Sequence, residues 1–156
     1  MQSTNDSDRF TDAVLTASRV LVSLAATSIS EVADEVTLAQ FRALVVLHSR
    51  GPQPLRELAR ELQVVPSTAT RMCDRLVDKG LITRSASPWN RREVELEVTG
   101  AGRAIVAAVS RRRRREIGRI VARMGPSQPS ALVEALEEFG RAAGEVPEQQ
   151  WYLGWA

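Results

Sequence analysis

The chain has 156 residues, 44% hydrophobic and 26% charged, with a formal net charge of +2. That is the size and make-up of one ordinary globular domain; the sole cysteine, Cys73, and the sole histidine, His48, exclude an internal disulfide and a structural zinc cluster. No uninterrupted apolar run nears the roughly 18 residues of a membrane span, the polar MQSTNDSDRF start is unlike a secretory signal, and a cytoplasmic protein with no membrane partner is expected.

The first helix is expected over residues 7–27, with Phe10, Val14, Ala17, Leu21 and Leu24 at helical spacing. Its apolar face is long for a terminal helix with nothing before it to pack against. Thr37 and Gln40 then fit a capping box, and Val36 and Phe41 a hydrophobic staple, so a second helix starts there and runs through FRALVVLHSR to Gly51. It is apolar nearly all round and should be buried, with His48 on its inward stripe as a core histidine. A short third helix covers 54–62, with Pro54 suited to the first turn and Leu55, Leu58, Ala59 and Leu62 on one face. After a turn at 63–65, Pro66 opens a fourth helix that Gly80 ends. Ala69, Met72, Cys73, Leu76 and Val77 form its inner stripe, and Ser67, Thr68, Thr70, Arg71, Asp74, Arg75 and Asp78 face out. Two short helices joined this way have the form of a helix-turn-helix. Cys73 on the inner stripe reads as a small core hydrophobe ahead of a redox sensor.

After Gly80 the period changes from helical to alternating. Residues 81–84 and 93–98 read as paired strands, with Val94, Leu96 and Val98 inward and Glu93, Glu95 and Glu97 outward. The loop between them, 85–92, ends in Asn90, Arg91 and Arg92. A helix-turn-helix followed at once by a hairpin is a winged helix. Thr99 caps a long helix to about residue 124, Gly125-Pro126 stops it, and a last amphipathic helix covers 129–143 before the tail EVPEQQWYLGWA. The expected fold is mainly α with a small two-stranded β wing: a winged helix-turn-helix lobe at about 37–99, and a helical dimerisation region at about 8–35 and 100–143.

In this order the elements resemble the MarR family over about residues 8–143. The stretches LAQFRALVVLHSRGPQPLRELARELQV, PSTATRMCDRLVDKGLITR and PWNRREVELEVTGAGR carry the resemblance. It implies a homodimeric regulator of transcription, probing a pseudo-palindromic operator in double-stranded DNA and commonly released by small aromatic acids or oxidants. It also implies that first and last helices of both subunits interlock, that the fourth helix enters the major groove, and that the wing reaches the minor groove. Two positions depart from the pattern. Asn90 stands where the family usually has Asp, so Arg92, or Arg91 in its place, takes the minor-groove role without that charge beside it. Val65 stands where Ser or Thr is usual before the recognition helix, and offers no capping oxygen.

The chemistry of these residues suits DNA independently. Short polar side chains such as Ser67, Thr68 and Thr70 can approach base edges and phosphates closely, and Arg71 can pair bidentately with guanine. Arg75, Lys79 and Arg84 extend the basic side, although an ion pair between Asp74 and a neighbouring arginine explains some of it. Residues 1–35 carry a net −4, 36–125 a net +10 and 126–156 a net −4, so the basic middle suits a polyanion. Five consecutive arginines, 111–115, cannot share one helix face, and pairing with the acidic ends is expected for some. Arg19, in an otherwise apolar stretch, is the candidate for a small acidic or aromatic effector. No cofactor is expected. No nucleotide fingerprint, carboxylate pair or nucleophile motif marks an enzyme. The alternative function is a winged-helix module that binds protein, which salt-dependent binding to duplex DNA would separate from a regulator.

Overall fold

A computed structural model describes residues 2–87, 93–124 and 130–148. Its elements in chain order are α1 (Gln2–Val32), α2 (Leu38–Arg50), β1 (Gln53–Pro54), α3 (Leu55–Glu61), α4 (Pro66–Asp78), β2 (Ile82–Ala86), β3 (Val94–Val98), α5 (Gly100–Arg123) and α6 (Ser130–Ala142).

Local chemistry sets most boundaries. Thr37 Oγ1 accepts from the Gln40 amide at 3.2 Å while Gln40 Oε1 accepts from the Thr37 amide at 3.1 Å, a complete capping box at the start of α2. Gly51, with φ +83°, ends α2 and donates back to the Leu47 carbonyl. The ends of α3 and α4 close alike: the Val64 amide reaches the Ala59 carbonyl and the Leu81 amide the Leu76 carbonyl, around left-handed Gln63 (φ +55°) and Gly80 (φ +67°). Thr99 caps α5 by accepting from the Gly102 amide and also donates to the Gly80 carbonyl at 2.7 Å, joining two helix ends through one hydroxyl.

The core sits around α2, whose Phe41, Ala43, Leu44, Val45, Val46 and Leu47 are all buried. Leu58 of α3, Cys73 and Leu76 of α4, Ile82, Leu96 and Val98 of the sheet, and Val106 and Val109 of α5 close over it. Truncating a leucine at such a site costs about 2–5 kcal/mol.

Three features differ from the expectation. The wing belongs to a three-stranded antiparallel sheet of order β1-β3-β2, because Gln53 and Pro54 pair with Leu96 and Glu95. Pro54 is therefore the residue before α3 and not in its first turn; on an edge strand its missing N–H costs no ladder bond. Val94, expected inward, is 51% exposed, whereas Leu96 and Val98 are 1% and 5% exposed, because the alternation carries a residue inward only where a core lies beneath it. And α1 runs well beyond residues 7–27: its last turns bury Ala25, Ser28 and Ile29, and the Ala33 amide bonds the Ile29 carbonyl beyond its end.

Much of α1 stays uncovered. Phe10 (53% exposed), Leu15, Val20, Leu21 and Val22 face outward, and Arg19 interrupts them. Between Asn5 and Val32 this helix is long and apolar enough to cross a membrane by length and composition, although no uninterrupted apolar run of that length exists. Its buried end is packed into the lobe, against α5 and α2. Of the arginine run, Arg112 ion-pairs with Glu31 of α1. On α6, Val133, Leu136 (61% exposed) and Phe139 are also uncovered, and no residue of that helix is buried. The chain beyond α6 turns at Gly144 and straps onto α2: Arg42 pairs with Glu145 at 2.7 Å and Arg50 donates to the Gly144 carbonyl at 2.8 Å.

Candidate nucleic-acid interface

Helix α4 is strongly two-sided. Ala69, Cys73 and Leu76 are fully buried against the lobe, which fixes the roll of the helix and so decides what its other face presents. Ser67, Arg71 and Arg75 are exposed there, while Thr68 and Thr70 are half-buried beside them. Thr70 Oγ1 donates to the Pro66 carbonyl at 2.9 Å, leaving the oxygen free to accept. The buried Cys73 thiol has its pKa pushed up to about 11, by loss of solvation first, so it stays protonated at neutral pH.

The ion-pair question raised by the sequence resolves against Arg75. Asp74 pairs with Arg84 of β2 at 2.6 Å, so Arg84 is engaged in the lobe. Neither Arg71 nor Arg75 makes an ion pair with a described residue. Both guanidiniums therefore present uncompensated charge on the exposed face of α4. Lys79, by contrast, donates to the Glu35 carbonyl before α2.

The start of α4 adds a feature the residue pattern had shown only as a departure. Val65 gives no side-chain cap and Pro66 has no N–H. The amides of Thr68 and Ala69 reach back to the Val65 carbonyl, but the Ser67 amide has no backbone partner among the described residues. An open amide at the positive end of a 13-residue helix suits a phosphate oxygen. The absence of a capping residue was the signal for it.

Strands β2 and β3 hold the stem of the hairpin beside α4. Their register pairs Ile82 with Val98, Arg84 with Leu96 and Ala86 with Val94. Beyond Ala86 the Ser87 amide donates to the Glu93 carbonyl, and Ser87 Oγ to Glu95, both at 2.8 Å. Glu93 itself pairs with Arg56 of α3. That contact spans 37 positions and nothing in the residue pattern announces it. Asn90, Arg91 and Arg92 lie outside the described residues.

Arg19 is not brought near α4. It is exposed on α1 and donates to Thr16 Oγ1 at 3.2 Å. A groove of about 780 Å³ does lie between α2, α5, α6 and the strap, lined by Arg42, Arg113, Leu136 and Glu145 among others, but Arg19 is not in its wall. His48 is half-buried at the end of α2. Among the described residues, no three His, Cys, Asp or Glu side chains are placed to hold a metal ion.

A family model described as MarR family matches residues 36–94. RV1404 of Mycobacterium tuberculosis, a crystal structure, superposes with a TM-score of 0.85 at 47% identity, covering 90% of this chain and 96% of that one. The apo form of MarR from E. coli superposes at 0.68 with 24% identity over 81% and 92% of the two chains, which shows the shared fold. Among curated relatives from Bacillus subtilis, the HTH-type transcriptional repressor MdtR is 39% identical over 43% of this chain and 43% of its own length. The HTH-type transcriptional regulator YhbI is 33% identical over 46% of this chain and 47% of its own. The chain thus spans less than half the length of these two relatives.

Proposed function

From the premise that the chain belongs to the MarR family, we propose that it is a homodimeric, sequence-specific DNA-binding regulator of transcription and not an enzyme. The observation that carries this is the exposed face of α4: Arg71 and Arg75 without ion-pair partners among the described residues, next to an open helix N-terminus. In the free protein water solvates that face, and a phosphodiester backbone that pairs with it releases condensed counterions, which favours binding. Ser67, Thr68, Thr70, Arg71 and Arg75 then meet the major groove, and Asn90, Arg91 and Arg92 the adjacent minor groove.

Dimerisation follows from the uncovered apolar faces of α1 and α6. Side chains such as Phe10, Leu21, Leu136 and Phe139 are about half exposed or more in the single chain, and a second copy is the occupant that a family of paired half-site readers requires. A cytoplasmic location, repression (MdtR is a transcriptional repressor by name) directed at its own or a neighbouring gene, and release by a small acidic or aromatic molecule complete the reading.

The test is titration of the purified protein against a duplex it selects from random sequence, over a range of salt. Binding should weaken steeply with salt. Arg71→Ala should relax preference at one position at a cost of ~1–3 kcal/mol. Arg92→Ala should lower the salt slope by ~1 per half-site with base preference kept. Salt-independent binding, or none, removes the proposal.

A further inference from the structure

The outer half of the hairpin is poorly held by apolar packing. Leu96 and Val98 are buried, but Val94 and Ala86, the last paired residues before the loop, are exposed. A two-stranded ribbon with little core beneath it is marginal by itself. What holds this end is polar. Arg84 ties β2 to Asp74 of α4, and Glu93 ties the start of β3 to Arg56 of α3.

Arg56 is not a loose arm at this contact. Its other side faces Glu57, which also pairs with Arg60, so that four alternating charges run from α3 across to the hairpin. Glu93 is the last of the four and the described residue next to the loop that carries Asn90, Arg91 and Arg92. Its own carbonyl accepts from Ser87 across the stem. The two ends of the loop are thus pinned to each other and, through Arg56, to the helix-turn-helix. The Arg56 guanidinium is held more firmly protonated chiefly by Glu93.

We propose that Glu93 is a positioning residue for DNA binding, which through Arg56 sets the angle of the wing against the recognition helix α4. This rests on the reading that the loop after Ser87 meets DNA. It makes an unusual prediction of sign. A carboxylate beside a DNA-facing loop repels phosphate, so by charge alone Glu93→Gln should tighten binding. If the carboxylate acts by holding Arg56, the same substitution loosens the wing, which must then be ordered at each encounter, and binding weakens. Exposed ion pairs are weak, so the expected loss is about two- to five-fold per wing, or about ten-fold for the two wings of a dimer.

The experiment uses the full chain with Glu93→Gln, Arg56→Gln and the double substitution. Without DNA, exchange of the Ser87 amide hydrogen should quicken several-fold, to the same degree in all three, while the urea midpoint falls by no more than the small contribution of an exposed ion pair. On the selected duplex, Glu93→Gln and the double substitution should weaken to a similar degree, and Arg56→Gln at least as much, because it leaves the Glu93 carboxylate uncompensated. Tighter or unchanged binding by Glu93→Gln overturns the proposal. So does a double variant markedly weaker than Glu93→Gln with a lower salt slope, since Arg56 would then be a phosphate contact itself. If the wild-type protein does not bind duplex DNA, the functional reading falls and so does the positioning role, whereas unchanged Ser87 exchange in a wild-type protein that does bind overturns the positioning role alone.

Discussion

Replacing Gly102 by alanine tests how α5 is seated on the lobe. A Cβ built there would lie 2.3 Å from the Leu81 carbonyl oxygen and 2.7 Å from Val98 Cγ2, where real Cβ atoms essentially never come within 3.0 Å. The Leu81 oxygen cannot swing aside freely, because it accepts from the Thr99 amide at 3.0 Å, and Thr99 is the residue that caps α5. Overpacking of this kind costs about 1–3 kcal/mol, and displacing the cap adds about 1 kcal/mol. Alanine returns about 1 kcal/mol of helix propensity, which leaves a net loss of about 1–3 kcal/mol. Gly118, later in the same helix, has nothing within 4 Å of its built Cβ; alanine there keeps the propensity gain and should stabilise by about 0.5–1 kcal/mol. Urea unfolding of both variants at one fixed protein concentration, needed because a dimer's stability depends on it, should therefore show midpoints moving in opposite directions. Midpoints that rise together would refute the argument that backbone contact at Leu81 makes residue 102 a glycine.

Three other outcomes are expected. Because burial raises the Cys73 pKa to about 11 from 9.0, only the unfolded thiol ionises between those values; stability should fall as pH rises through that window, and the fall should be smaller in Cys73→Ala, as read from urea midpoints at pH 8 and 10.5. Leu136→Asp with Phe139→Asp should shift sedimentation toward a folded monomer with unchanged helix content, since neither side chain is buried within the chain; a dimer as stable as wild type would show that α6 is not in the interface. Gln63→Gly should stabilise by up to about 1 kcal/mol by removing a side chain from a left-handed residue, checked by thermal unfolding.

The elements that were legible in the residues are those decided within a few positions of the chain. The capping box at Thr37 and Gln40, the stops at Gly51 and Gly80, the Thr99 cap and the inner stripe of α4 all depend on neighbours three or four residues apart, so local geometry and helical period reveal them. The change to alternation after Gly80 likewise announced the hairpin, though not how far its inward face is covered: Val94 continues the pattern of Leu96 and Val98 but has no core beneath it.

Of the proposed DNA-facing set, the sequence determined which side chains of α4 point away from the apolar stripe, and it marked Asp74 and Arg75 as ambiguous. Only the tertiary structure decided that Asp74 goes to Arg84 and leaves Arg75 uncompensated, that Pro54 closes a third strand on β3, and that Glu93 is held by Arg56. These partners are chosen by how separate elements pack. A periodic pattern states which face of an element avoids water, but a charge can pair with any opposite charge that folding brings within about 4 Å, and that neighbourhood exists only once α3, α4 and the hairpin have closed over α2.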